Sequence, residues 1–382
     1  MKFLWGTLAT AILITTASAI PDQLIFDVPQ VQQRLDLSTL KSPIHKAYHP
    51  YDNSNHSNNP SRISISQLLQ EFELQFSQFA HIVRLDKSFE GRDILGLEIS
   101  NTQSEFEDKK TIVIIANQHA REWITTSTAL YYIHRLLVSA SATFDSQLFR
   151  GRKLHRRERK KIKKFLNRYN VLVIPTLNPD GYMFSRTTDR LWRKNRQVFE
   201  NDTCVGIDLN RNWGYQFISG SQAEVGSCDE EYMGETPFQA PELIGLKSYL
   251  LNVTNRVEGF IDLHSFGQNI MYPYAYTCKE SNPDEEDQIE AIVGAAKAIR
   301  KSHGRTYTTG SVCKVGLGGS GSAVDWVYSS TEKVGVKWSF ALELRDQGIW
   351  GFLIPEHEIS DVGEEVWDGL LELWAFIGNK EA

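Results

Sequence analysis

Cysteine is scarce: 4 residues in 382, with no Cys-x-x-Cys spacing among them. The fold therefore does not rest on a dense disulfide framework, and two simple bridges are a better reading than a cysteine-held metal cluster. No Gly-x-y period and no internal repeat runs through the chain, which removes collagen-like architectures. Past the first nineteen residues no apolar run approaches the ~20 residues of a membrane-spanning helix. Basic excess is also missing: 41 Lys+Arg stand against 47 Asp+Glu, a net charge of −6, which argues against a surface built wholly for nucleic acid. What remains is 41% hydrophobic and 23% charged, enough to exclude a disordered tail and to bury one large α/β core or two smaller ones. The charge is uneven. Residues 150–164 hold ten Lys/Arg and one Glu, so the rest of the chain stands at −15.

Export is the first functional reading. Lys2 gives a short positive start, Phe3 to Ile14 is mostly apolar, and Ala17-Ser18-Ala19 offers a small-x-small cleavage site. Residues 1–19 read as a secretory signal peptide, which makes the mature protein secreted, with the medium, cell wall or vacuole as destinations. In an oxidising compartment Cys204, Cys228, Cys278 and Cys313 are expected to pair, and three pairings are possible. N-glycosylation sequons begin at Asn55, Asn201 and Asn252. Residues 20–60, rich in Asn, Ser and Pro, read as a short, poorly ordered pro-segment, and the folded domain as 61–382.

Within that domain strand-like and helix-like segments alternate. Residues 64–72 (SISQLLQEF) space their apolar positions as an amphipathic helix opening at a Ser cap. Residues 111–116 (TIVIIA) form a compact β-branched run, suited to a strand buried on both faces. A helical pattern follows from Glu122 to about Val138. Residues 171–175, 258–263 and 337–344 read as further strands, and 290–302 and 363–377 as helices. The alternation predicts a single α/β domain: a mostly parallel, mixed, twisted sheet with helices on both faces. The basic run at 150–164 reads as a solvated helix or loop, an insertion outside the site. Docking to an anionic cell-wall polymer is its sharper reading, and aromatic or base-reading residues for nucleic acid are not interleaved there.

The chemistry concentrates in residues 117–123 (NQHAREW), between the TIVIIA strand and the long helix. His119 and Glu122, three apart across a strand-to-helix turn, can point into one site, and imidazole nitrogen with carboxylate oxygen suits zinc. A His-x-x-Glu alone is weak and needs a third ligand. His264, in "GFIDLHSFGQ" at the end of another strand, supplies a candidate, because open α/β sheets build sites at the C-terminal ends of their strands.

With these residues in place, the chain resembles the zinc metallocarboxypeptidases of the carboxypeptidase A/B family (M14), and most of all the fungal, cell-wall-associated, often inactive secreted branch. The resemblance runs from Ser61 to the C-terminus through "FEGRDI", "HAREW", "PTLNPDGY", "DRLWRKNR", "GIDLNRNW", "DLHSF", "YPYAYTC", "GSAVDW" and "LELRDQGIWGFLIP". It implies one Zn2+ held by His119, Glu122 and His264, with a water in the open fourth position. It further implies Glu343 as general base and Arg193 as support for the oxyanion. Asn210 and Arg211 would grip the terminal carboxylate of a peptide or protein, with Arg121 and Ser265 along the approach and Asp208 behind His119. Val324, with Val312 and Ala341 nearby, falls at the floor of the side-chain pocket and implies an apolar or aromatic C-terminal residue, since a cation there would need a buried acid. The family's pattern also pairs Cys204 with Cys228 and Cys278 with Cys313. A monomer is expected.

Two positions depart from that pattern. The family's mobile substrate-capping tyrosine is replaced by Leu317, in "VGLGGSGS", and the tyrosine after the second zinc histidine by Phe266. Both changes imply weaker substrate binding more than lost chemistry. The inactive branch typically loses the general base and the Asn-Arg pair, whereas Glu343, Asn210 and Arg211 stand here, which tips the reading toward a working enzyme. About forty residues follow the signal, too few to build the folded pro-domain carried by zymogens of the family.

Overall fold

The computed structural model describes residues 64–101, 109–141, 156–218, 225–253, 256–280, 282–329 and 334–381. The signal peptide, the 20–60 segment and Asn55 lie outside them. The first helix, α1 (Ile65–Gln75), begins at the Ser cap read from the sequence. Ser64 Oγ accepts from Gln67 N at 3.1 Å while Gln67 Oε1 accepts from Ser64 N at 2.9 Å, a reciprocal capping box.

Eight strands form one sheet among the described residues: β1 (Ala80–Lys87), β2 (Asp93–Ile99), β3 (Lys110–Ala116), β4 (Tyr169–Ile174), β5 (Val257–Ser265), β6 (Asn269–Tyr272), β7 (Thr308–Ser311) and β8 (Trp338–Leu344), in the order β1-β2-β4-β3-β5-β8-β6-β7. The central β4-β3-β5-β8 ladders are parallel; β1–β2, β2–β4 and β6–β8 are antiparallel, and β6–β7 is parallel. The sheet is thus mixed with a parallel centre. The β1–β2 hairpin was not read from the sequence. Its turn, residues 88–92, closes through Ser88 N to Arg92 O at 2.8 Å and needs the left-handed backbone of Gly91, φ 85°.

Period-2 alternation sends successive side chains to opposite faces, and both faces are covered, so the central strands carry apolar residues toward both layers. Ile112, Ile114 and Ala116 of β3 face one layer, with Val171 and Val173 of β4 and Phe340 and Leu342 of β8. Helices α1, α2 (Trp123–Ala140), α3 (Arg156–Arg168), α6 (Glu285–His303) and α9 (Ile359–Lys380) cover that face. Val113 and Ile115 of β3, with Leu172 and Ile174 of β4, face the other, under α5 (Pro241–Asn252) and α8 (Ala323–Ser329). The remaining helices are α4 (Pro179–Thr187) and the single turn α7 (Val312–Val315).

The basic run continues into α3. Lys160, Lys161, Lys163 and Lys164 are exposed, as a solvated face requires, while Ile162 and Leu166 are fully buried. Glu158 of the same helix accepts from buried Arg135 at 3.1 Å and from Trp367 Nε1 at 3.0 Å, so α3 is tied to α2 and α9. Both disulfides join the pairs the resemblance implied, Cys204–Cys228 and Cys278–Cys313. Asn201 and Asn252 are exposed. No helix among the described residues is long and apolar enough to cross a membrane.

The chain leaves β3 toward β4 on one side, and leaves the adjacent β5 toward β6 on the other, so connections from neighbouring strands run in opposite directions. A crevice opens at such a switch point, beyond the C-terminal ends of the strands.

Candidate metal centre and active site

The turn after β3 is built around Asn117, whose φ of 58° an Asn tolerates better than most residues. Its N–H donates to Thr125 Oγ1 at 3.1 Å and its side-chain amide to the carbonyl of His119 at 3.1 Å. Ala120 N donates to Arg193 O at 2.9 Å, which joins the turn to the "LWRKNR" segment. His119 and Glu122 are thereby held on one side, His119 Nδ1 lying 2.7 Å from Glu122 Oε1.

His264 arrives from the end of β5. Its Nδ1 is 3.1 Å from the other oxygen of Glu122, which also accepts from Ser265 N at 3.1 Å. The two imidazole rings sit 4.7 Å apart, centroid to centroid. Ligand-type atoms of His119, Glu122 and His264 lie within 4.8 Å of one another, and all three residues are buried. Burial works against charge on Glu122, yet the two imidazoles hold its carboxyl below the usual range. Burial likewise opposes charge on His264, but Asp262 and Glu122 hold it well above its ordinary value.

Each ring nitrogen turned away from the cluster meets a carboxylate. His119 Nε2 is 3.0 Å from Asp208 Oδ1, and His264 Nε2 is 2.8 Å from Asp262 Oδ2. That arrangement fixes both tautomers with Nδ1 toward the centre. Asp208, fully buried, also accepts from Arg193 Nε and Nη2 through Oδ2, at 3.1 and 2.8 Å, and from Asn210 N through Oδ1 at 2.9 Å. Despite burial, the Arg193 and His119 charges hold it well below the carboxylate range.

Glu343 is the register partner of His264 across the parallel β5–β8 ladder, so the two side chains emerge together. Burial pushes its carboxyl up to about 8; Glu122 adds to the rise, while His264 and Arg193 oppose it. Its Oε2 is buried with no hydrogen-bond partner, and so is Ser265 Oγ.

Asn210 stands with Nδ2 3.1 Å from His264 Nε2 and Oδ1 accepting from Ala323 N at 2.9 Å. Arg211 runs beside the Gly-rich stretch. A Cβ on Gly319 would lie 2.7 Å from its Nε, and one on Gly321 only 2.1 Å from its carbonyl oxygen. Glycine is required at Gly321, where the close atom is backbone and φ is 66°, whereas at Gly319 the close atoms belong to a side chain that can yield. Arg121 donates to Leu191 O at 3.2 Å and covers the Phe352 ring, on which Phe266 also packs edge-on with centroids 4.9 Å apart. Val324, Val312 and Ala341 share one buried apolar cluster. The adjacent acid, Asp325, is buried but spoken for by the backbone N–H groups of Ala275 and Tyr276 at 2.8 to 2.9 Å. Leu317 is 41% exposed on the Gly-rich stretch.

Two imidazoles, one carboxylate and a buried, unpartnered glutamate oxygen beside them make a donor set that fits a zinc ion with an open coordination position. The family model described as zinc carboxypeptidase (peptidase M14) matches residues 65–369. The chain belongs to the zinc carboxypeptidase family. Among its relatives, the "inactive metallocarboxypeptidase ECM14" of Saccharomyces cerevisiae is 38% identical over 83% of this chain and 71% of its own length. A protein of the same name from Uncinocarpus reesii is 34% identical over 80% of this chain and 53% of its own; the chain spans about half the length of most such curated relatives. Among solved structures, bovine thrombin-activatable fibrinolysis inhibitor in complex with tick carboxypeptidase inhibitor has TM-score 0.71 and 27% identity, covering 83% of this chain and 96% of that one. Carboxypeptidase A from Helicoverpa armigera has TM-score 0.71 and 26% identity, covering 90% and 81%.

Sequence reasoning missed two members of the cluster. Asp262 supports His264, and Gln118 donates to Asp262 Oδ2 at 2.7 Å while accepting from Trp213 Nε1 at 3.1 Å. The signal for Asp262 was present: in a strand, residues two apart share a face, so Asp-x-His places the acid beside the imidazole.

Proposed function

We propose that the protein is a secreted zinc-dependent exopeptidase that removes apolar or aromatic residues from peptide C-termini. The observation that carries this reading is Glu343: a buried carboxyl beside His264, pushed up to about 8, with an unpartnered oxygen.

His119, Glu122 and His264 would hold the zinc, which supplies Lewis acidity to the scissile carbonyl and the attacking water. Asn210 and Arg211 bind the terminal carboxylate, the guanidinium giving it a two-point fork. Arg193, its plane fixed by Asp208, faces the carbonyl oxygen as negative charge develops there; one such donor is typically worth ~2.7–4 kcal/mol of barrier. Glu343 accepts the proton of the attacking water on Oε2 and returns it to the departing amine. The apolar wall of Val312, Val324 and Ala341 receives the terminal side chain, and the adjacent acid, Asp325, is engaged by the backbone amides of Ala275 and Tyr276. Export rests on residues 1–19, and an anionic wall polymer is the proposed partner of the exposed lysines of α3.

The competing reading is a catalytically silent carboxypeptidase-like protein with a role in cell-wall organisation, favoured by the word "inactive" in the relatives' names. Purified protein with zinc, incubated with blocked dipeptides ending in Phe or Lys, decides between them. Release of Phe is expected to exceed that of Lys, and Glu343→Gln to slow it by about 10²–10⁴-fold. Equal rates for native and variant, or no release by either, would sink the enzyme reading.

A further inference from the structure

The two cations at the mouth of the cleft are both held from a single dipeptide. Arg121 Nη1 donates to Glu230 Oε2 at 2.8 Å, and Arg211 Nη2 donates to Glu231 Oε1 at 3.2 Å. The partners in each pair are unequally fixed. The Arg121 and Arg211 side chains are 20% and 11% exposed, whereas Glu230 and Glu231 are 54% and 57% exposed. Arg121 is further fixed by Leu191 O and the Phe352 ring, and Arg211 by Asn210 O and the Gly-rich wall. The acids can swing into water; the guanidinium groups stay.

The acids cannot go far. Cys228 is bridged to Cys204 just ahead of them, and Tyr232 O accepts from Asp208 N at 2.7 Å just behind. A carboxylate tethered on so short a segment presents a high effective concentration to its cation. Asp229, the third acid of the run, is turned back on its own loop and accepts from Gly226 N at 2.7 Å.

We propose that Glu231 is a built-in competitor for the anchor of the substrate's terminal carboxylate: a peptide C-terminus reaches Arg211 by displacing the Glu231 carboxylate. The inference rests on the reading of Asn210 and Arg211 as that anchor. An ion pair with so exposed a partner shifts an equilibrium by about two- to five-fold, which is a brake and not a block. It also has a salt signature. Substrate binding exchanges one carboxylate for another at the same guanidinium, so the number of ion pairs barely changes and ionic strength matters little. Without Glu231, binding forms a net ion pair that salt screens.

The test titrates N-acetyl-phenylalanine and its amide into the zinc-loaded full chain, native, Glu231→Gln and Arg211→Met, at low and physiological ionic strength. Glu231→Gln is expected to bind the acid about two- to five-fold tighter at low ionic strength and the amide unchanged, with the gain shrinking as salt rises. Equal affinity for the acid in native and Glu231→Gln protein, or an equal gain for the amide, overturns the proposal. Arg211→Met separates the two readings. If it keeps the preference for acid over amide, the anchor assignment falls and the competitor with it. If it loses the preference while Glu231→Gln gains nothing, only the competitor falls.

Discussion

Asp208→Asn is the sharpest perturbation of the cluster, because it alters one atom and cannot be accommodated in either amide orientation. The carboxylate accepts on both sides: Oδ1 from His119 Nε2 and Asn210 N, Oδ2 twice from Arg193. An asparagine has one oxygen and one NH₂. With its oxygen toward His119, the NH₂ confronts two guanidinium donors, and a largely buried cation loses its partner. Breaking a buried charged pair in this way costs ~3–5 kcal/mol. With its oxygen toward Arg193, the NH₂ faces His119 Nε2, which can accept only by moving the imidazole proton to Nδ1. That atom faces Glu122, 2.7 Å away, on the side where a metal would need its lone pair. Loss of a partner behind a metal-binding histidine typically lowers metal affinity 10–100-fold. Urea unfolding in chelator reads the first cost, and zinc competition against a chromophoric chelator reads the second. A variant with native zinc affinity and native stability would refute the reasoning at both steps.

Two further outcomes follow from groups elsewhere. His134, on α2, is held neutral: burial lowers its pKa from 6.5 to about 3, and the charge of Arg135 adds to the shift. The unfolded chain takes the proton below 6.5 while the folded protein refuses it, so stability falls as pH drops from 6.5 toward 3, by ~1.4 kcal/mol per pH unit. Metal-free protein should lose about 2 kcal/mol through this group between neutrality and pH 5, and His134→Gln should flatten the slope of urea stability against pH by that amount; an unchanged slope counts against it. Gly319→Ala puts a methyl 2.7 Å from Arg211 Nε, the end of a side chain that can yield. KM for a Phe-terminated peptide is expected to rise several-fold with the melting temperature nearly unchanged, and a native KM would show that Arg211 does not hold the substrate.

Much of the fold was legible because it rests on local pattern. After Thr111, TIVIIA is apolar at every position because helices cover both faces of its strand, and the Ser64 box can be read in four residues. The candidate metal cluster was legible for another reason: its members sit at or just beyond strand ends, and the blocks around them resemble a known family. The omissions have separate causes. The order of the strands is set by pairing across the sheet, which no window of sequence contains, while the local β1–β2 hairpin was missed because its alternation is broken by charged residues such as Arg84, Asp86 and Lys87. In α3 the charge run masked Ile162 and Leu166, the two residues that seat the helix. Glu230 and Glu231 carry no local signal of their own; their pairing with Arg121 and Arg211 joins segments far apart in the chain, next to the Cys204–Cys228 bridge.

The parallel centre of the sheet has a consequence for when the metal can act during folding. His119, His264 and Glu343 follow or end β3, β5 and β8, strands far apart in the chain that become neighbours only in the finished sheet. A short zinc loop can recruit its ion early and be organised by it. Here a zinc ion would draw on His119 and Glu122 after β3 and on His264 at the end of β5, so two distant segments must dock before the ion finds its full ligand set, as a latch on an assembled sheet. Zinc uptake during refolding should therefore lag behind the pairing of β3 with β5, and a chain that fails to make that pairing would have no complete ligand set.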